Sequence, residues 1–248
     1  MTQTKNFKTT KPRTNSRTVK KPIVRNGLAM DQTIFERIQV AILEQRLPPG
    51  SQLTEERLVE VFHVSRARIR RVLLRLSESK NIILIPNRGA FVAQPTPTEV
   101  HEVFTARRII EAHIVKQAAH RITDVQRQQL EQHLDLERDA HDTGNARAAI
   151  RLSGEFHLLL AEIAGNEVLA RFLYDLVAHT SLAMALYGNP SQPACGEDEH
   201  ELMLEAISSG HVEKALALMD AHLESIELWL QVAPSKVTSV DLHQVFAP

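Results

Sequence analysis

The chain has 248 residues, 43% of them apolar, and a formal net charge of −1. This length suits one large domain or two modest ones, and we expect two. No stretch approaches the roughly eighteen uninterrupted apolar residues of a membrane span, and no apolar segment of a signal peptide follows the basic N-terminus. We therefore expect a cytoplasmic protein with no membrane partner. The single cysteine, Cys195, cannot form an internal disulfide, which suits a reducing compartment.

The net charge conceals a strong asymmetry along the chain. Residues 1–95 carry 18 Lys and Arg against 7 Asp and Glu, whereas the remainder carries 11 against 23. Such asymmetry is typical of a nucleic-acid-binding domain joined to a domain with another task. Residues 1–28 hold eight basic residues and no acidic one, and we predict a disordered basic arm there. The arm either only solubilises the chain or adds nonspecific attraction to phosphates.

Residues 29–94 show the pattern of a winged helix-turn-helix. The predicted elements are a helix from Asp31 to Arg46, a helix capped by Thr54, a helix capped by Ser65, and strands at 82–85 and 90–93. Helical spacing of apolar residues defines the three helices, and the turn at 86–89 joins the strands. Three helices followed by such a hairpin form a winged helix.

From Pro95 onward the strand signals vanish and six helical segments follow. Helix breaks are expected at 123–124, 144–145, 165–166, 188–193 and 209–210. Because no repeat of fixed period is present, we predict a bundle rather than a solenoid. The predicted fold is therefore mainly α, with an N-terminal winged helix-turn-helix and an all-α six-helix bundle as effector domain. The remaining divisions are a linker at 95–97, the bundle at 98–232 and a C-terminal tail at 233–248.

Basic side chains crowd the start of the third helix. Arg66, Arg68, Arg70 and Arg71 lie in its first two turns. Positive charge there opposes the helix dipole, and the arginines repel one another unless an external anion is bound. In a helix-turn-helix this end enters the major groove, where arginine binds guanine edges and phosphates. The alternative is a solvated basic face. Arg88, beside Gly89 in the hairpin turn, is placed to reach a minor groove or a phosphate.

The same segment resembles the DNA-binding domain of the GntR regulators. The resemblance rests on Pro49, Gly50, Leu53, Glu56, Leu58, Val64, Ser65, Arg66, Ile69, Arg70, Leu73, Leu76 and the run from Pro86 to Val92. It implies DNA-contact positions at Arg57, Ser65, Arg66, Arg68 and Arg70, with Arg88 and Gly89 in the wing. Arg68, Arg71 and Lys80 differ from the residues usual in the family. These differences are expected to change which operator sequence is recognised, but not whether the protein binds DNA.

A charged pair interrupts the apolar stripe of the first bundle helix. Arg107 and Glu111 fall in the middle of a stripe that contains Val100, Val103 and Ile110. One interpretation is an intrahelical salt bridge, although arginine before glutamate is the weaker order. The other is that Arg107 reaches into a cavity to bind a carboxylate ligand, for which its planar donor fork is suited.

Three histidines on separate helices are expected to face one core. His157, His200 and His222 each lie on an apolar face of their helix. A lone buried histidine is usually only hydrogen-bonded, but three that converge suit a divalent metal such as zinc or nickel.

The bundle is similar to the ligand-binding domain of the FadR-like branch of the GntR family. Arg107 with Glu111, the run 156–166, His200 and His222 carry this resemblance. It implies a metal site made by three histidines and an aspartate. Here Ser153 stands at the aspartate position, which removes an anionic ligand and should weaken metal affinity.

These observations predict a homodimeric transcriptional regulator, expected to be a repressor and not an enzyme. It would bind double-stranded operator DNA and respond to a small carboxylate metabolite held by Arg107. Two alternatives remain. In one, the metal at the three histidines is itself the signal. In the other, the histidines hold a catalytic zinc in a metallohydrolase fused to a nucleic-acid-binding module, although no His-Glu-x-x-His run is present.

Overall fold

The computed structural model describes residues 24–188, 198–230 and 240–247. In chain order the elements are α1 (Val24–Leu43), β1 (Gln52–Leu53), α2 (Glu55–Phe62), α3 (Arg66–Glu78), β2 (Ile82–Ile85), β3 (Gly89–Val92), α4 (Pro97–Arg121), α5 (Asp124–Asp142), α6 (Ala146–Ala164), α7 (Glu167–Tyr187), α8 (Glu199–Ser208), α9 (Val212–Trp229) and α10 (Leu242–Val245). The mainly α fold with an N-terminal winged helix and a helical bundle is confirmed. None of the helices within these ranges is long and apolar enough to cross a membrane.

Local capping signals explain the helix-turn-helix. The Thr54 side chain accepts a hydrogen bond from the backbone N–H of Arg57 and so begins α2. His63 then adopts a left-handed conformation with φ 52°, which turns the chain toward α3. The inner face of α3 buries Ile69, Val72, Leu73 and Leu76 against the other helices. The predicted second and third helices are thus confirmed.

The wing is a three-stranded antiparallel sheet in the order β1, β3, β2. Ile82 pairs with Val92 and Ile85 pairs with Gly89, so the hairpin closes over residues 86–88. The turn uses two positive φ angles, 61° at Asn87 and 93° at Gly89. The hairpin is confirmed, with β3 beginning one residue earlier than expected. β1 was not predicted, because two residues are too few to show alternation.

The predicted start of the first helix is wrong. Asp31 is not its N-cap, because α1 already begins at Val24. Asp31 lies within the helix, and its carboxylate accepts hydrogen bonds from Arg71. Gly27 lies within α1 and does not end it, so the helix extends seven residues N-terminal to Asp31. Of the arm predicted for residues 1–28, residues 1–23 lie outside the described residues, whereas residues 24–28 are helical.

The six predicted helical segments after Pro95 correspond to α4–α9. Thr96 and Glu99 form a reciprocal capping box at the start of α4, with Pro97 in its first turn. Thr123 and Gln126 form a second capping box, at the start of α5. Side chains of Asn145 and Asn166 cap the next two helices. The apolar core between them contains Phe104, Phe156, Leu160, Val177, Met203 and Leu223.

The segment predicted as a C-terminal tail includes a short helix that packs on the winged helix. Leu242, Val245 and Phe246 are buried in the same core as α1–α3. The ring of Phe246 lies 5.0 Å from that of Phe62 on α2. Arg37 of α1 donates a hydrogen bond of 2.7 Å to the Phe246 carbonyl. Residues 240–247 therefore complete the core of the N-terminal domain.

Candidate functional site

The exposed end of α3 presents two of the predicted DNA-contact arginines. The side chains of Arg66 and Arg70 are 63% and 67% exposed, whereas that of Arg68 is 24% exposed. Ser65 occupies the N-cap position, but its exposed side chain makes no capping hydrogen bond. Among the predicted residues of this helix, Arg66, Arg70 and Ser65 thus have side chains available to an external partner.

Acidic side chains of the neighbouring helices pair with these arginines. The Nε atom of Arg70 donates to both carboxylate oxygens of Glu55, at 2.7 and 2.9 Å. Arg66 lies 4.0 Å from Glu56, also on α2. Arg68 instead faces α1, where its Nε atom lies 3.0 Å from a carboxylate oxygen of Asp31. Because exposed ion pairs contribute little net stability, Arg66 and Arg70 can exchange their carboxylates for phosphates at low cost.

Arg57, Arg88 and Gly89 are also exposed. Arg57 lies on α2, close to its N-terminus. Arg88 ends the β2–β3 turn, where its guanidinium lies 5.6 Å from the centre of the Phe91 ring. The Gln52 side chain donates a hydrogen bond of 2.9 Å to the Arg88 carbonyl and links the turn to β1. This places Arg88 at the tip of the wing.

Deep in the bundle, the three predicted histidines meet. The Nε2 atom of His222 lies 3.2 Å from that of His157 and 3.2 Å from that of His200. All three side chains are buried, and each offers one nitrogen within 4.8 Å of the others. The convergence expected from three separate helices, α6, α8 and α9, is confirmed.

Each imidazole has a carboxylate behind it. The Nδ1 atoms of His157, His200 and His222 hydrogen-bond to Glu111, Glu137 and Glu199, respectively. With Nδ1–H donating to a carboxylate, the neutral ring directs its Nε2 lone pair at the centre of the cluster. Burial lowers the pKa of His157. Burial, followed by the charges of His200, His157 and Arg107, lowers the pKa of His222 well below its usual value.

The histidine geometry fits a divalent cation. The Nε2 lone pair of His222 lies 3.2 Å from the Nε2 atoms of both His157 and His200, and these lone pairs repel one another unless a positive charge lies between them. In a tetrahedral zinc site with Zn–N bonds of about 2.05 Å, the nitrogens lie about 3.3 Å apart, close to the 3.2 Å found here. Histidines that donate their second N–H to a carboxylate are the usual pattern around such ions.

Arg107 connects the histidine cluster with a small cavity. Its Nε atom donates a hydrogen bond of 2.6 Å to one carboxylate oxygen of Glu111. The other oxygen of Glu111 contacts His157. Burial alone would raise the pKa of Glu111, but Arg107 and His157 lower it to about 2 by charge and hydrogen bonding. The Nη1 atom donates to Thr180 at 3.2 Å. The Nη2 atom is buried and has no hydrogen-bond partner among the described residues.

The cavity beside Arg107 has a volume of about 20 Å³, enough for about one water molecule. Its wall includes Arg107, Ser153, His157, Thr180 and, from the winged-helix domain, Leu43. The cavity therefore lies where the bundle meets the N-terminal domain. Gly154 of α6 also lines the cavity. A Cβ at Gly154 would lie 2.9 Å from Val177, so the glycine serves close packing of α6 on α7.

Both interpretations of the Arg107–Glu111 pair describe part of the structure. The intrahelical salt bridge forms, yet one amino group of the arginine remains without a partner. Sequence reasoning missed Glu137, Glu199 and Thr180. An acid on the buried stripe of α5 was a signal for Glu137, which is buried in the structure. Nothing local pointed to Glu199 or Thr180, because both act across helix contacts.

The two parts of the chain match two known families. Residues 30–92 match "Bacterial regulatory proteins, gntR family", and residues 102–225 match the FCD domain. This chain belongs to the GntR family of transcriptional regulators. The GntR protein is 26% identical over 198 residues to the transcriptional repressor RspR of Escherichia coli K12, covering 79% of this chain and 87% of the relative. It is 25% identical to the Uxu operon regulator of Haemophilus influenzae, covering 93% of this chain and 90% of the relative.

Solved structures show the same fold for this GntR protein. Escherichia coli McbR/YncC superposes with a TM-score of 0.71 at 19% identity, covering 82% of this chain and 96% of that one. A putative GntR regulator from Rhodococcus sp. RHA1 gives a TM-score of 0.70 at 21% identity, with coverage of 82% and 97%. The winged helix and the helical bundle therefore occur together in these structures as they do here.

Proposed function

We propose that this GntR-family protein is an operator-binding repressor whose DNA affinity is set by a small carboxylate bound beside Arg107. The observation that carries the proposal is the Nη2 atom of Arg107, which is buried at a cavity shared by the two domains and has no hydrogen-bond partner within the described ranges. A buried guanidinium with an unsatisfied donor is costly, and a carboxylate would satisfy it with charge-assisted hydrogen bonds. The cavity holds only about one water molecule, so the proposal requires it to widen when the carboxylate binds. Two similar proteins of Escherichia coli, RspR and NanR, are transcriptional repressors.

DNA recognition is assigned to the exposed end of α3 and to the wing. Arg66, Arg70 and Ser65 would contact base edges and phosphates, with Arg57, Arg88 and Gly89 at the flanks. Arg68 is the least suited of the predicted set, because its side chain faces Asp31. In this division residues 29–94 read DNA, residues 95–97 join the domains and residues 98–232 sense the effector.

A divalent metal, zinc or nickel, is part of the proposal. His157, His200 and His222 would hold it, and the carboxylates behind them would keep their tautomers fixed. When bound, the ion supplies positive charge that attracts an anionic effector. Ser153 lines the same cavity, so no carboxylate of α6 competes with the effector for that charge.

Dimerisation is assigned to an apolar face formed by α4 and α7. Three large apolar side chains on these helices are exposed, Ile109 by 70%, Val168 by 52% and Phe172 by 53%. A dimer that covers this face would place two winged helices on the half-sites of a palindrome. Such a regulator acts where the chromosome lies, so a cytoplasmic location belongs to the proposal.

The metallohydrolase alternative is not favoured by the histidine environment. A catalytic zinc needs a general base near the bound water. The carboxylates of Glu111, Glu137 and Glu199 all hydrogen-bond to histidine Nδ1 atoms, so they serve to orient the rings. We therefore infer a binding role and no catalysis. The metal-responsive alternative uses the same three histidines. It differs in that the metal, and not the carboxylate, is the signal that changes DNA affinity.

One experiment separates these possibilities. A duplex selected by the protein from a random pool is bound in an anisotropy titration, and a panel of carboxylates is added with and without zinc. The proposal expects one carboxylate to weaken binding in the wild type and to have no effect on Arg107→Met. A response to chelation alone would favour metal as the signal, and failure to select any duplex would contradict the regulator function.

A further inference from the structure

We infer that one turn of α7, residues 179–182, couples the Arg107 cavity to the ends of α1 and α3, an inference that rests on the proposed function. We call these four residues the coupling turn. Thr180 contacts Arg107, His179 contacts the end of α3, and Ser181 and Leu182 contact the winged-helix domain at α1. Together they form a direct connection between the effector cavity and the DNA-reading helix.

Thr180 faces the effector cavity. It is buried, and its hydroxyl accepts the hydrogen bond from Arg107 Nη1 while it donates to the Leu176 carbonyl at 3.0 Å. Arg107 also donates a hydrogen bond to Glu111, and Glu111 contacts His157 of the histidine cluster. A ligand that moves the guanidinium must therefore change the contact with Thr180.

His179 reaches the DNA-reading helix. Its Nε2–H donates a hydrogen bond of 3.0 Å to the carbonyl of Ser79, the residue that ends α3. The last carbonyls of a helix have no partner within the helix, so an outside donor is needed there. The next residue, Lys80, has a positive φ of 56°, which turns the chain toward β2. The position of α7 thus bears directly on the C-terminal end of α3.

Ser181 and Leu182 reach α1. The Ser181 hydroxyl donates a hydrogen bond of 2.9 Å to the carbonyl of Leu43, the last residue of α1. Leu182 is buried in the core of the winged-helix domain rather than in that of the bundle. The end of α1 is also turned by a positive φ, 53° at Gln45. Two helices of the DNA-binding domain therefore end on the same turn of α7.

The helical geometry makes these contacts interdependent. Successive residues of an α-helix are rotated by about 100°, so His179, Thr180 and Ser181 face three directions from one rigid turn. A shift or rotation of that turn cannot change one of the three hydrogen bonds alone. Packed interfaces respond to such shifts by moving between discrete arrangements. The coupling turn is thus positioned to report a change at Arg107 to both α1 and α3.

Hydrogen exchange of the full-length protein tests the inference without a known effector. The backbone N–H groups of Gln45, Leu47 and Lys80 are hydrogen-bonded, so their exchange reports opening of segments 43–48 and 78–82. Thr180→Val removes the hydroxyl and keeps the shape of the side chain. We expect it to raise exchange about threefold or more in both segments. Thr105→Val is the matched control, because Thr105 also bonds to the carbonyl four residues back but is exposed.

Single substitutions separate the two branches. Ser181→Ala is expected to raise exchange only in 43–48, and His179→Phe only in 78–82. Arg107→Lys keeps the charge but loses the planar fork that reaches Thr180, so it should raise exchange in both segments. Because Arg107→Lys and Thr180→Val break the same bond, the double variant should lie within about twofold of either single variant.

The inference is overturned if Arg107→Lys leaves hydrogen exchange in both segments at the wild-type rate. It is also overturned if the increase in exchange in the double variant equals the product of the increases in Arg107→Lys and Thr180→Val. A rise of similar size in α5, which packs mainly on α6 and α8, would indicate general loosening and would also overturn it. DNA affinity is measured on the same variants with the selected duplex. If no variant or wild type binds DNA, the proposed function fails while the exchange result still decides the coupling.

Discussion

The Nε2 atoms of His157 and His222 lie 3.2 Å apart in the interior of the bundle. Both rings donate their Nδ1–H to carboxylates, so the two Nε2 atoms face each other as acceptors. Neither can donate a hydrogen bond to the other in that state. Only a positive charge between them makes the arrangement favourable, which is the reason to expect a metal ion.

Zinc or nickel should therefore stabilise the protein. At a free metal concentration of about 100 Kd the gain is about 2.7 kcal/mol, or about 5 to 10 °C in Tm for a chain of this size. His200→Ala should abolish the shift, because it removes one of three ligands. His113→Ala, on the exposed face of α4, is the control.

Ser153→Asp should increase metal retention. The carboxylates of Glu111, Glu137 and Glu199 lie behind the rings and do not reach the centre of the cluster. A carboxylate one turn before His157 would add an anionic oxygen ligand that binds the ion directly. Calorimetric titration with zinc and nickel measures the difference directly. Equal affinity in the wild type, Ser153→Asp and His200→Ala would mean that the histidines are only structural.

Replacing both Arg66 and Arg70 with alanine should abolish selective binding to the chosen duplex. Each bidentate contact between arginine and guanine gives roughly tenfold to hundredfold discrimination. Arg127→Ala removes an exposed arginine of the bundle and should leave DNA affinity unchanged. Unaltered affinity of the double variant in a titration at fixed salt would exclude these two residues from the interface.

Deletion of residues 1–23 should make DNA binding less sensitive to salt. This segment carries seven Lys and Arg and no acidic residue. Each phosphate that it neutralises contributes about 0.9 to the slope of log K against log salt. Sequence preference should survive the deletion. Equal slopes for the truncated and full-length proteins would show that the arm does not contact phosphates.

Phe246→Ala should destabilise the winged-helix domain. The ring is buried beside Phe62 and under the Arg37 guanidinium, so its removal should cost about 2 to 3 kcal/mol. Urea unfolding measures the loss, and hydrogen exchange should rise first in α2. Leu228→Ala, at an exposed position of α9, is the control. An effect confined to the bundle would contradict the docking of α10.

Asp175 should make stability depend on pH. Burial raises its pKa to about 6 despite the opposing charges of Arg171 and Arg75. Since the folded-state pKa is above the unfolded value, this contribution is fully present below about pH 4 and is lost as pH rises through 6. Asp175→Asn should therefore stabilise the protein at pH 7.5 by about 1 kcal/mol, after allowance for solvent screening, and have no effect at pH 4. Urea unfolding at both pH values measures this, and equal effects at both would contradict the raised pKa.

The helix-turn-helix, the wing hairpin and the six helices of the bundle could be predicted from local sequence signals. Thr54, Thr123, Asn145 and Asn166 cap their helices through bonds to residues three positions away, and such local signals are visible in a sequence. The convergence of His157, His200 and His222 followed from the same periodicity, because each lies on an apolar face that must point inward.

The contacts around those residues could not be predicted in this way, because they form between helices. The pairing of His200 with Glu137 depends on how α5 packs against α8, and Asp31 pairs with Arg68 across α1 and α3. The docking of α10 on α2 and the bond between Thr180 and Arg107 join residues far apart in the chain. These contacts depend on helix packing angles and offsets, which no local sequence period encodes.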